Sequence, residues 1–328
     1  MRIFKSLMEE RRPILVKEFV LGVGVTALFF ILLALSPTLG LATGFVTPLL
    51  IAYFYTRLGR PQGLLYFASS VLVAWFSLQY AAVEAEASFF VAIGALGVLL
   101  PEFMKRNWGI EKTIMASVAS LLTLALALLL YYNWRLATPA MQLIETHIHE
   151  SLQHSIQFYS EFGMSSEQVE SIKENVPEIT KTILGLLPSI VVVSASFFAW
   201  INVLMMRSLF QKTQILCPDY GDLACWKISD WLVWFVIASG GMMLLPLPEI
   251  KLVGSNGLII LLFVYLLQGF SIVHFFFKKK SVPRLLRTIF YLFLFVYQSL
   301  LLAVAAVGLF DIWIDFRKMN RPLKDSTV

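Results

Sequence analysis

The sequence predicts an all-α protein: a polytopic transmembrane helix bundle of eight or nine spans with an external amphipathic helical insert. Two observations carry that prediction. Of 328 residues, 58% are hydrophobic and only 14% charged, against about 25% charged in an average soluble domain. The polar coat of a water-soluble surface of this size is therefore missing. The apolar residues also fall in continuous runs, without the alternation that marks membrane β-barrel strands. A soluble enzyme, a disulfide-rich secreted domain and a disordered chain are excluded by the same composition.

A hydrocarbon core of about 30 Å needs on the order of 20 apolar residues as helix. Such segments lie near Val16–Ser36, Gly40–Tyr55, Leu64–Tyr80, Ala87–Phe103, Ile114–Tyr132, Ile183–Met205, Trp231–Leu247, Gly257–Phe277 and Leu286–Phe310. The second and third are short and hold the breakers Pro48, Gly59 and Pro61 in or between them, which leaves the count at eight or nine. No small-residue cleavage site follows a short apolar core, so the first segment is expected to stay as a helix. Residues 1–328 read as one membrane domain.

The net charge of +5 reports orientation and not a nucleic-acid partner. In a nine-span count, Arg57 and Arg60, then Lys105, Arg106 and Lys112, then Arg207, Lys212 and Lys227, and finally Lys278, Lys279, Lys280, Arg284 and Arg287 share the side of the N-terminus. Glu84, Glu86 and the long loop after Asn133 take the other. The positive-inside rule makes the basic side cytoplasmic, and Cys217 and Cys225 are then expected to be reduced thiols. Arg317, Lys318, Arg321 and Lys324 break this pattern, because nine spans place them outside.

The polar insert runs over 133–178. Met141, Ile144, Ile148, Leu152, Ile156 and Tyr159 recur at helical spacing, which predicts an amphipathic helix on the outer membrane face or capping the bundle. Gly163 ends it, and Ser165 or Ser166 before Glu167 and Gln168 starts a second short helix. Within the first helix, His147, Glu150 and His154 share one face and form a weak candidate metal site, weighed against a solvated polar stripe. The spacing is not H-E-x-x-H, so a zinc-peptidase assignment fails.

Gly22-Val23-Gly24-Val25-Thr26-Ala27 matches a dinucleotide-binding string, but it sits inside an apolar helix where small residues serve packing. Polar residues inside spans are costly and are functional candidates by default. Asn202, Asn256, Gln268, His274 and Gln298 are such residues, with Asp230 and Asp311 near span ends. Ser271 and His274 share a helix face, the one pairing that an intramembrane hydrolase could use. No nucleotide, thiol-redox or paired metal motif appears, and the reading is of a protein that is not an enzyme and carries no cofactor. Trp108, Trp134, Trp226, Trp231 and Trp313 sit at segment boundaries, as interfacial anchors do.

The last third carries a recognisable order of motifs. Leu187-Pro188 leads to Trp200 and Asn202, then Trp226-Lys227, Asp230-Trp231, Asn256-Gly257 and Tyr265-Leu266-Leu267-Gln268-Gly269. It closes on Gly308-Leu309-Phe310-Asp311 and Asp315-Phe316-Arg317-Lys318. This arrangement resembles the YybS-like family of bacterial membrane proteins, a domain of unknown function. That family is distantly similar to the substrate-binding S components of energy-coupling-factor transporters and to the cell-shape scaffold MreD. The resemblance implies a bacterial cytoplasmic membrane location and two readings. In one, the bundle binds a small molecule for transport, with Asn202, Asn256, Gln268 and Asp311 as the substrate-binding candidates; in the other, it is a non-enzymatic scaffold for other membrane proteins. The S-component pattern includes an Ala-x-x-x-Ala docking pair on the first span. Here Ala27 is followed four residues later by Ile31, and Gly22 with Thr26 is the small pair present.

Overall fold

The computed structural model describes residues 2–83, 85–135, 139–161, 165–215 and 218–318. Glu84, Gly163, Cys217, Arg321 and Lys324 lie outside them, as do the side chains before Val16 and those of Tyr159, Ser166 and Gln168. Among the described residues the chain is all-helical: α1 (Arg2–Leu35), α2 (Pro37–Leu58), α3 (Arg60–Tyr80), α4 (Ala87–Met104), α5 (Ile110–Arg135), α6 (Ala140–Glu161), α7 (Ser166–Lys212), α8 (Leu232–Leu244), α9 (Pro248–Lys279), α10 (Arg284–Val296) and α11 (Ser299–Ile314), with one 3₁₀ turn at Leu223–Cys225. Eight of the nine apolar segments fall on a single helix each, and the ninth is divided between α10 and α11. Six helices are long and apolar enough to cross a membrane, and α10 with α11 makes a seventh if that bent pair is one span.

Three elements differ in form from the sequence expectation. The second helix of the insert is not separate: it is the first part of α7, which runs 47 residues without a break and carries Pro177 and Pro188 inside it. At 1.5 Å per residue that is about 70 Å, more than twice the hydrocarbon thickness. The segment from Trp231 shortens to the 13 residues of α8, about 20 Å of helix. The last segment is broken, with α10 and α11 bent by 111°. Neither glycine nor proline stands at the break. Tyr297 leaves the helical region there, at φ −101° and ψ 78°.

The chain packs as two compact units. The first holds residues 1–142 and 194–219. Its core gathers Phe30, Ile51, Phe54, Tyr66, Ala74 and Phe90 from α1 to α4. Gly22 presses on the rings of Phe54 and Tyr66, and Gly97 lies against the Pro48 carbonyl and Ile51, so small residues set the close approach of these helices. Thr26 and Tyr66 share a buried hydrogen bond. The dinucleotide-like string is thus a packing surface at Gly22, while Gly24 faces open space. Glu102 at the end of α4 collects Arg60 and Lys105 at 2.7 Å each and accepts from the Tyr55 hydroxyl at 2.8 Å. Glu86 is not a free loop carboxylate, since Tyr132 and Ser88 both donate to it.

The second unit holds residues 143–193 and 220–328. Here α6 lies along the first part of α7, and Ile156 and Val176 are both buried. The apolar stripe of α6 is therefore used, at least in part, against a helix of its own chain. α8 folds back on α9, with Ser239 against Gly254 and Gly257. α9 and α11 meet through glycine on both sides, and these helices position the candidate site.

Candidate functional site

The site is built on the contact of α9 with α11. A Cβ at Gly269 would collide with the Val304 carbonyl, and one at Gly308 with the Tyr265 carbonyl. Only glycine at both positions lets the backbones approach this closely. One helical turn further along α11, the approach brings Gln268 and Asp311 together. Gln268 is fully buried, donates through Nε2 to Asp311 Oδ2 at 3.2 Å, and accepts through Oε1 from the Ile228 N–H at 3.2 Å.

Asp311 is held from the other direction by its own chain terminus. Asp315 takes a left-handed conformation, φ 45° and ψ 63°, which aspartate tolerates better than most residues. That turn sends the Phe316 N–H to Asp311 Oδ1 at 2.9 Å and returns Arg317 to Asp311 Oδ2 at 2.9 Å. Both side chains of this ion pair are buried, at 0% and 1% exposure. The second guanidinium nitrogen of Arg317 points at the carbonyls of Ala224 and Trp226, 3.1 and 2.8 Å away, and at Ser271 Oγ, 3.0 Å away. The Ser271 hydroxyl in turn faces the carbonyls of Leu223, Ala224 and Trp226.

A nine-span count places Arg317 outside, against the positive-inside pattern. The structure corrects this: the residue is buried and its charge is met by Asp311. It is also the residue of this network that the sequence candidates lack. The one signal available was the pair Gly308–Asp311 followed closely by Asp315–Arg317, in which an intramembrane acid and a base lie six residues apart. Ser271 is likewise committed to loop carbonyls, while His274 is exposed.

The loop in front of the 3₁₀ turn is pinned from outside. Asp222 Oδ1 accepts from the Ala224 N–H at 3.1 Å, and Oδ2 accepts from Lys278 at 2.6 Å. The Lys278 ammonium first, and the Ala224 N–H second, hold the Asp222 carboxyl below the usual carboxylate range.

Asn256 occupies a different place on α9. Its Oδ1 accepts from the Ser189 N–H and its Nδ2 donates to the Gly185 carbonyl, both at 2.9 Å, with a further bond to Leu252 O. In an unbroken helix Ser189 N–H would donate to Gly185 C=O. Pro188 lacks an N–H and leaves the Leu184 carbonyl without that intrahelical donor. The carboxamide of Asn256 bridges Ser189 and Gly185 beside this proline.

Asn202 belongs to the first unit and the other three to the second. It is fully buried, and Nδ2 donates to Phe198 O at 2.9 Å. Its Oδ1 has no hydrogen-bond partner among the described residues.

The family model described as "Predicted membrane protein (DUF2232)" matches residues 24–312. The chain belongs to this family. No curated protein and no solved structure matches it. In this DUF2232 member Asn202, Asn256, Gln268 and Asp311 all fall inside the matched segment, and Arg317 falls beyond its end.

Three of the four histidines of the DUF2232 chain lie on α6. His147 Nδ1 is 3.5 Å from Glu150 Oε2, both exposed, while His149 is bonded to Gln153 at 2.9 Å. His154 does not join His147 and Glu150: among the described residues no three His, Cys, Asp or Glu side chains are grouped to hold a metal ion. His149, Gln153, Ile156, Lys173, Val176 and Pro177 border a cavity of about 550 Å³ between α6 and α7.

Proposed function

We propose that the protein is a non-enzymatic scaffold of the bacterial cytoplasmic membrane, MreD-like in role, with its N-terminus inside. The observation that carries this reading is the state of three of the four pocket candidates. Asn256, Gln268 and Asp311 each have both polar atoms engaged within the bundle. A small-molecule site needs convergent polar groups left available to a ligand, and these three are spent on holding helices and a loop together. The small pair that S-component docking would use is also occupied, since Gly22 packs on Tyr66 and Thr26 bonds to it. The likeness to YybS-like proteins rests on the residues of this same network, which favours a structural role for those motifs. In the scaffold reading, α6 and the first part of α7 form the extracytoplasmic element that other envelope proteins meet.

The test uses the full-length protein in living cells and in lipid nanodiscs. A photo-crosslinking amino acid at Gln153 or Glu170 is expected to give discrete adducts with a membrane protein. Thermal unfolding against a panel of water-soluble vitamins is expected to show no stabilisation. Stabilisation by one of them that disappears in Asn202→Ala would overturn the scaffold reading in favour of a transport component, because Asn202 keeps a buried oxygen without a partner.

A further inference from the structure

The corner between α9 and α10 combines a cationic rim with an apolar groove. Residues 278–287 contain Lys278, Lys279, Lys280, Arg284 and Arg287 and no acid. Two of these five are tied into the fold: Lys278 to Asp222, and Arg287 to the carbonyls of Val282 and Phe277. Lys279 lies over the Phe275 ring. Lys280 and Arg284 are exposed and take part in none of the ion pairs among the described residues.

Next to this rim, Phe276, Phe277, Phe290, Val307 and Phe316 line an open groove of about 340 Å³ between α9, α10 and α11. Its wall is almost wholly apolar. Phe276 and Phe277 precede Lys280 by one helical turn, so the rim and the groove share one face of α9. The Phe277 ring meets Phe290 edge-on at 5.3 Å, which fixes α10 over the groove. α10 carries Arg284, Arg287 and Thr288 on one face and leaves Leu285, Ile289, Leu292 and Phe295 exposed on the rest. Bent by 111° from α11, it has the pattern of a helix that lies in the membrane interface and does not cross the core.

We infer that this corner binds an anionic phospholipid, with one acyl chain in the phenylalanine-lined groove and the headgroup phosphate against Lys280 and Arg284. The chemistry selects that occupant. A chain-sized apolar groove alone fits any lipid, and a basic cluster alone fits any anion; both together, at the head of an interfacial helix, fit a molecule that is anionic at one end and aliphatic at the other. The absence of acids between Lys278 and Arg287 leaves the rim charge uncompensated from within that segment.

The experiment titrates the full-length protein in detergent with dioleoylphosphatidylglycerol or dioleoylphosphatidylcholine and follows the unfolding midpoint and the lipid retained in native mass spectra. The glycerol lipid is expected to raise the midpoint and the choline lipid not to, with binding weakening as salt rises. Lys280→Gln/Arg284→Gln is expected to weaken it roughly 30-fold, about a factor of five per cationic side chain. Both positions are exposed, so the lipid-free midpoint is expected to stay where it is. Val307→Phe, which fills the groove and leaves the rim intact, is expected to lower retention as well. Equal binding of the two lipids, or wild-type affinity in the double variant, would overturn the proposal. So would an equal midpoint shift with soluble glycerol phosphate, which would mark a free-phosphate site instead.

Discussion

Arg317 and Asp311 form an ion pair 2.9 Å long, with both side chains removed from solvent. Its position explains why a loop, two helices and the end of the described chain hold together. The carboxylate joins α11 to Gln268 on α9, and the guanidinium joins the turn after α11 to the carbonyls around Cys225. A buried pair of this kind contributes little net stability over an apolar replacement, but removing one partner leaves the other charge uncompensated.

Asp311→Ala is therefore expected to cost about 3–5 kcal/mol, and Arg317→Met a comparable amount. The double variant Asp311→Leu/Arg317→Met is expected to cost far less than the sum. Unfolding of the full-length protein in mixed micelles measures all three. Additive losses would show that the two side chains do not act as a unit.

Asn256→Ala leaves the Ser189 N–H and the Gly185 carbonyl without the carboxamide that bridges them. A loss of about 1–3 kcal/mol is expected, the cost of unsatisfied buried backbone groups. In a Pro188→Ala background the helix can close its own rung, and the same substitution is expected to cost under about 1 kcal/mol. An equal loss in both backgrounds would separate Asn256 from the proline break.

Gly269→Ala and Gly308→Ala each place a methyl group on the carbonyl oxygen of the facing helix. Backbone cannot yield as a side chain can, so α9 and α11 are expected to part, with loss of the monodisperse peak on size exclusion. Gly24→Ala serves as the control: its added methyl meets open space, and helix propensity predicts a gain of up to about 1 kcal/mol. A Gly308→Ala protein that melts like wild type would refute the close approach.

The contact of Asp222 with Lys278 makes a pH-dependent contribution of known sign. Its carboxyl is held below the usual range in the fold, so the folded state binds its proton less readily than the unfolded chain. The resulting stability is present above the ordinary carboxylate pKa and is lost as pH falls through the depressed value. Asp222→Asn is expected to flatten the acid side of the stability profile while leaving the midpoint at alkaline pH nearly as the salt-screened pair predicts. An unchanged acid limb would exclude the contact as its source.

Hydropathy placed all nine apolar segments on helices, because a run of 16 or more apolar residues has few other options in a bilayer. The polar residues of the last third were also visible as candidates, since an amide or acid in a span must find a partner. What those residues touch was not visible. Asn256 reaches residues 67 and 71 positions away, and Gln268 meets Asp311 across 43; no periodicity reports such separations. The continuity of α7 was hidden for another reason. The signals at Gly163 and Ser165 marked a start but no end, and Pro177 and Pro188 are both accommodated inside the helix. Arg317 was misplaced because a charge rule treats every terminal arginine as solvated.

The order in which residues are assigned to the two units sets a timetable for synthesis. Residues 143–193 of the second unit are made before residues 194–219 complete the first, and the second unit then waits for residues 220–328. Neither unit can finish while the chain is short: the first stays open through the whole of α6 and α7, and the second is fastened only when Arg317 emerges. A chain that stops between Asp311 and Arg317 would leave a nearly full-length protein with Asp311 and its loop carbonyls unsealed in the bilayer. Such intermediates are natural substrates for membrane quality control, and truncations that remove only the last dozen residues should be degraded faster than their small size suggests.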